Sequence, residues 1–137
     1  MKKILVRGAR QLITLRGPWG PRRGMDAREL GLIQDGSILV SDGVVACAGP
    51  TRRIENLAEA RSALQIDATG RVVLPGFVDC HTHLAQSFGR GIYDNLHLTQ
   101  WLLTMGRHFD LPREQTYAAT QLACIEAIKS GTTFVGE

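Results

Sequence analysis

Residues 72–84 read VVLPGFVDCHTHL. An apolar run, Val72 to Leu74, meets Pro75-Gly76, resumes at Phe77-Val78, and then ends in Asp79, His81 and His83, three polar residues spaced two apart. In an extended strand successive side chains alternate between faces, so Phe77, Asp79, His81 and His83 share one face while Val78, Cys80 and Thr82 point the other way. Two imidazoles on one face, ~6 to 7 Å apart along the backbone, can converge on one divalent ion as a chelate. Asp79 lies deeper on that face, where a carboxylate can accept a hydrogen bond from a ligand imidazole and fix its tautomer. His-Thr-His alone is a short pattern that chance also supplies. Its context singles it out: a Pro-Gly entry, an apolar strand, an aspartate on the same face, and a position at a strand's C-terminal end, where α/β sheets and barrels carry their chemistry.

Downstream of this strand the pattern changes to a helical one. SFGRGIYDN is a loop by composition, and LTQWLLTMGRHF places Leu98, Trp101, Leu102 and Met105 at i, i+3, i+4 and i+7. Pro112 occupies a first helical position, and REQTYAATQLACIEAIKSG then sets Ala118, Leu122, Ile125 and Ile128 on one face before Gly131 ends the helix. TTFVGE reads as a further strand. Strand, helices, strand predicts a parallel crossover.

Upstream, the text is strand-like. ILVRG and QLITL read as strands, and SILVSDGVVACAG reads as a hairpin whose Asp42-Gly43 supplies the positive-φ turn. Between them RGPWGPRRGMD, rich in glycine, proline and arginine, is a loop or flap. Thr51 is placed to cap a helix running through RRIENLAEARSAL, with Ile54, Leu57 and Ala58 on one face. QIDATGRVVLPG follows as strand, turn, strand. The fold class is therefore α/β, with a small β-rich domain over residues 1–74 and the opening of an α/β unit over residues 75–137.

The chain has 137 residues, enough for one ordinary domain, and its net charge of +3 comes from scattered arginines rather than a basic block. Nucleic acid and anionic membrane are thus not indicated as partners. Its three cysteines, Cys47, Cys80 and Cys124, are far apart and form no CxxC pair, which argues against a disulfide framework or a cysteine-based zinc site and for a reducing compartment. Arg7 and Arg10 interrupt the apolar start before it reaches the length of a signal-peptide core, and no stretch approaches the ~18 apolar residues of a membrane span. A cytoplasmic protein is the expectation.

VVLPGFVDCHTHL resembles the signature of the amidohydrolase superfamily, metal-dependent hydrolases built on a (β/α)8 barrel. The amino-terminal strands are similar to the small β-sandwich that precedes that barrel. RGIYDNLHLTQWL and AATQLACIEAIKSGTTFV resemble the branch that deaminates or dechlorinates ring heterocycles. The resemblance implies that His81 and His83 are metal ligands, for Zn2+ or Fe2+, and that Trp101 helps to wall the pocket of a small heterocyclic substrate. It also implies a substrate-binding role for Asp110, near which several such deaminases carry a glutamate in a Pro-x-Glu context; the local text here is RHFDLP, without that proline. GPWGPRRGMDARELGLIQDGSILVSDG resembles instead the amino-terminal region of imidazolonepropionases, which open a cyclic amide. A deaminase-type reaction is the first reading and cyclic-amide hydrolysis the second. A third, from another class, is an inactive truncated metal-binding or interaction module.

A catalytic zinc usually takes about three protein ligands plus water, and only His81 and His83 are well placed. His97 and His108 suit solvent-facing or capping roles better. Further ligands and the catalytic base are expected downstream, so no catalytic residue is assigned within the chain. Two parallel strands joined by one crossover leave sheet edges open, which favours association of copies. Cys80 and Cys124 read as packing residues, and Arg90 and Tyr93 as loop residues near the mouth of the site.

Overall fold

The computed structural model describes residues 2–108 and 111–137, with Arg107 and His108 described as backbone only. The chain divides into two compact units, Met1–Pro75 and Gly76–Glu137.

The first unit is a five-stranded mixed sheet. β1 (Lys3–Ile13), β2 (Leu32–Ser41) and β3 (Val44–Pro50) run antiparallel in sequence, while β4 (Leu64–Asp67) and β5 (Val72–Val73) both pair with β1 in parallel. ILVRG and QLITL are one strand, not two. The break between them is a bulge between Val6 and Ala9, where Gly8 adopts φ 68°, a conformation open to glycine at little cost. The β2–β3 hairpin turns at Asp42 (φ 51°) and Gly43 (φ 84°), as the Asp-Gly pair predicts.

The helix expected over RRIENLAEARSAL is two short pieces: α1 (Thr51–Glu55) and a 3-10 turn (Ala58–Ser62), separated by Leu57 in extended conformation. Breaking the helix lets both Ile54 and Ala60 reach the core formed with Leu5 and Leu39, a pairing that one straight helix does not provide. Thr51 does not cap. Pro50 takes the cap position, and the Thr51 hydroxyl is buried against Ser37 Oγ at 2.8 Å, so that each satisfies the other inside the unit. A second cluster, Ala9, Leu12 and Ala68, sits along the sheet with Val6, Ile33, Ile38 and Val73.

In the second unit β6 (Phe77–Asp79) and β7 (Thr132–Val135) pair in parallel, joined through a 3-10 turn (Leu84–Gly89), α2 (Leu98–His108) and α3 (Arg113–Lys129). The parallel crossover read from the sequence is present. A barrel is not shown: the described residues of this unit hold a two-stranded sheet. The strand expected over GFVDCHTHL stops at Asp79, and its residues are exposed rather than buried. Leu122, Ile125 and Ile128 of α3 are likewise exposed, the buried residue of that helix being Ala119. Met105 is the buried residue of the apolar series on α2, whose Leu98 and Leu102 are exposed. Gly76 is required by close packing, because a Cβ there would lie 2.1 Å from Thr133 Oγ1 and 2.7 Å from its Cβ.

Candidate metal centre

Parallel pairing brings the C-terminal ends of β6 and β7 together, and the polar residues of DCHTH emerge there. Past Asp79 the backbone leaves the sheet, so strict alternation no longer sets the directions of His81 and His83. The two imidazoles nevertheless lie side by side, ring centroids 5.3 Å apart and planes at 87°. Two imidazoles at this separation make a donor pair suited to a borderline-soft divalent ion such as zinc. Among the described residues no third His, Cys, Asp or Glu joins them.

The Asp79 carboxylate does something other than hold an imidazole. Its Oδ1 accepts the main-chain N–H of His81 at 3.0 Å, while the Asp79 carbonyl accepts from the Gly136 N–H at 2.8 Å. Asp79 thus shapes the turn that carries the histidines and ties it to the end of β7. Glu137, also at that end, accepts the Leu84 N–H through Oε2 at 3.0 Å.

Beside His83 lies a polar cavity of about 340 Å³, with Asp79, Arg90, Glu126 and Ser130 on its walls. Arg90 Nη1 donates to Glu126 Oε1 at 3.0 Å and Nη2 to Oε2, a two-point ion pair from the loop to α3. The guanidinium holds the Glu126 carboxyl below its ordinary value, chiefly through the hydrogen bonds, which outweigh the opposing desolvation, with a smaller contribution from its charge; the Arg90 value is raised by the same bonds. A carboxylate with a depressed folded pKa contributes stability above its unfolded value and loses that contribution as pH falls through the folded one. Carboxyl 13C titration should therefore give Glu126 a midpoint below that of a free glutamate, and Arg90→Ala should return it to the ordinary range.

Trp101, half-buried on α2, lines a second cavity of about 220 Å³ together with Gln86, Arg90, Tyr93 and Asp94. A third, more apolar cavity of about 300 Å³ is lined by Phe88, Ile92, Tyr93, Met105 and Leu111. Asp110 lies outside the described residues. The sequence places Arg90 in a loop near the mouth of the site and carries no signal for Ser87, Glu126 or Glu137. The Arg90–Glu126 pair spans 36 positions, and no local pattern announces it.

Residues 72–137 match the amidohydrolase family model. The chain is 34% identical to the 5-methylthioadenosine/S-adenosylhomocysteine deaminase of Desulforamulus reducens, over all of this chain and 29% of that protein. It is 50% identical over 83 residues to the imidazolonepropionase of Solibacter usitatus, covering 61% of this chain and 20% of that one. An atrazine chlorohydrolase from Arthrobacter aurescens TC1, solved with zinc, superposes with a TM-score of 0.74 at 22% identity, over 96% of this chain and 28% of that one. Its fold is shared; its ligand is its own. The chain belongs to the amidohydrolase superfamily, and it spans less than a third of the length of these relatives.

No helix of the described residues is long and apolar enough to cross a membrane.

Proposed function

We propose that residues 1–137 form the N-terminal part of a metal-dependent hydrolase of non-peptide carbon–nitrogen bonds, with residues 1–74 as a β-rich domain and residues 75–137 as the opening of a (β/α)8 barrel. The observation that carries this reading is the His81–His83 pair, 5.3 Å apart at the C-terminal ends of two parallel strands. His81 and His83 hold a divalent ion, zinc first and Fe2+ second. Zinc in the atrazine chlorohydrolase of similar fold supports that order. When bound, the ion supplies Lewis acidity, lowering the pKa of water at the site toward ~7. Asp79 holds the turn that presents the two imidazoles, and Trp101 offers an aromatic wall against which a flat ring can stack.

Hydrolytic deamination of an aminated ring heterocycle is the reaction this reading favours. Its support is the deaminase relative, aligned over the whole chain at 34% identity. Opening of a cyclic amide is the second reading, favoured by the imidazolonepropionase relative, which is more similar but over a shorter stretch. Ammonia release separates them. The zinc-loaded, full-length protein carrying these residues should release ammonia from an adenosine-type or aminated pyrimidine or triazine substrate; ring opening of an imidazolone without ammonia release would establish the second reading instead. Inactivity on both, with retained metal, would leave a metal-binding module.

A further inference from the structure

Beyond Asp79 the sheet no longer dictates where the two histidines point, so other contacts must. Asp79 fixes the His81 amide and Glu137 the Leu84 amide, each at 3.0 Å. The 3-10 turn Leu84–Gly89 begins at the residue after His83, and it is fastened to α3 at two further points. Ser87 Oγ donates to the Ala119 carbonyl at 2.7 Å, and Arg90, just past the turn, forks onto Glu126. Helix α3 in turn leads through Gly131, whose carbonyl accepts the Phe77 N–H at 2.8 Å, into β7 and so back to β6. The circuit is closed: strand, histidine turn, helix, strand.

We propose that Arg90 and Glu126 are positioning residues that set the aim of His83 and, through it, of the metal site; this rests on His81 and His83 being the ligands. One contact, at Ser87, leaves the turn free to pivot. A second contact two helical turns further along α3, between Glu126 and Arg90, removes that rotation. Stability is not the pair's main contribution, because its side chains, 68% and 40% exposed, are screened by solvent. A bidentate fork, by contrast, specifies distance and angle together, which a lysine ammonium cannot do.

The test uses the 137-residue chain with Arg90→Ala, Arg90→Lys and the charge exchange Arg90→Glu/Glu126→Arg. In the metal-free chain, Arg90→Ala should speed hydrogen exchange of the Leu84 amide while leaving amides within α3 unchanged. Its Co2+ affinity, read from ligand-field absorption, should fall about tenfold, as when a group that orients a metal ligand is removed. Arg90→Lys should recover less than half of that loss, and the charge exchange most of it. An unchanged Leu84 exchange rate in Arg90→Ala, or full recovery by lysine, would overturn the clamp. If wild-type cobalt affinity proves indifferent to alanine at His81 and His83, the metal reading falls and the positioning role with it, while the exchange data still report separately whether the pair holds the turn.

Discussion

Alanine at both His81 and His83 should lower the chain's zinc affinity by roughly 100-fold or more. Removing only an outer partner of a ligand costs ~10- to 100-fold, and here both imidazoles of the pair are lost. The folded state should barely change. Neither histidine is among the buried residues, and their main-chain partners, Asp79 for His81 and Glu137 through the neighbouring Leu84, stay in place when the rings are removed. Equilibrium dialysis against zinc, with circular dichroism of the metal-free chain as the control, separates the two effects. Single variants should each lose most of the affinity, because one imidazole cannot chelate. Zinc binding that survives the double replacement would remove the assignment.

The hairpin and the crossover were legible in the sequence because their causes are local. Asp42-Gly43 needs only its own backbone preference, and the strand, helix and strand after Pro75-Gly76 follow from periodicity, from a start signal at Pro112 and from a stop signal at Gly131. The end of β6 was not legible. Alternating polar residues in DCHTH satisfy a strand and a turn equally, and what decides is the pairing partner: β7 leaves the ladder after Val135, opposite Asp79. The break at Leu57 was hidden for a related reason, since Ile54 and Ala60 belong to one core only once the sheet exists. At the site, the two histidines were visible by their spacing. Arg90 with Glu126, and Glu137 with Leu84, pair across 36 and 53 positions, and only the fold brings them together.

Gly36 exposes the same limit in the β-rich unit, where it gives the second large effect. It stands in β2 opposite Ala9, and a Cβ built there would lie 2.4 Å from Leu12 Cβ and 2.9 Å from its Cδ2. Leu12 is 1% exposed and cannot swing into solvent without leaving its cluster. Gly36→Ala should therefore destabilise the unit by roughly 1 to 3 kcal/mol, the usual cost of overpacking a close-fitted core, out of a total of ~5 to 15. Gly43→Asn provides the contrast. Its Cβ would meet nothing within 4 Å, and asparagine tolerates a positive φ, so the hairpin should lose less than ~1 kcal/mol. Leu12→Ala alone should cost ~2 to 5 kcal/mol as a cavity. In Gly36→Ala/Leu12→Ala, however, the atoms that clash with the new methyl beyond Cβ are gone, and the methyl fills part of the cavity. The double variant should be more stable than the sum of the two single losses predicts, a coupling that urea unfolding followed by hydrogen exchange of the β1 amides resolves. Strict additivity would mean that the approach to Leu12 Cβ, which alanine retains, carries the whole cost of Gly36→Ala.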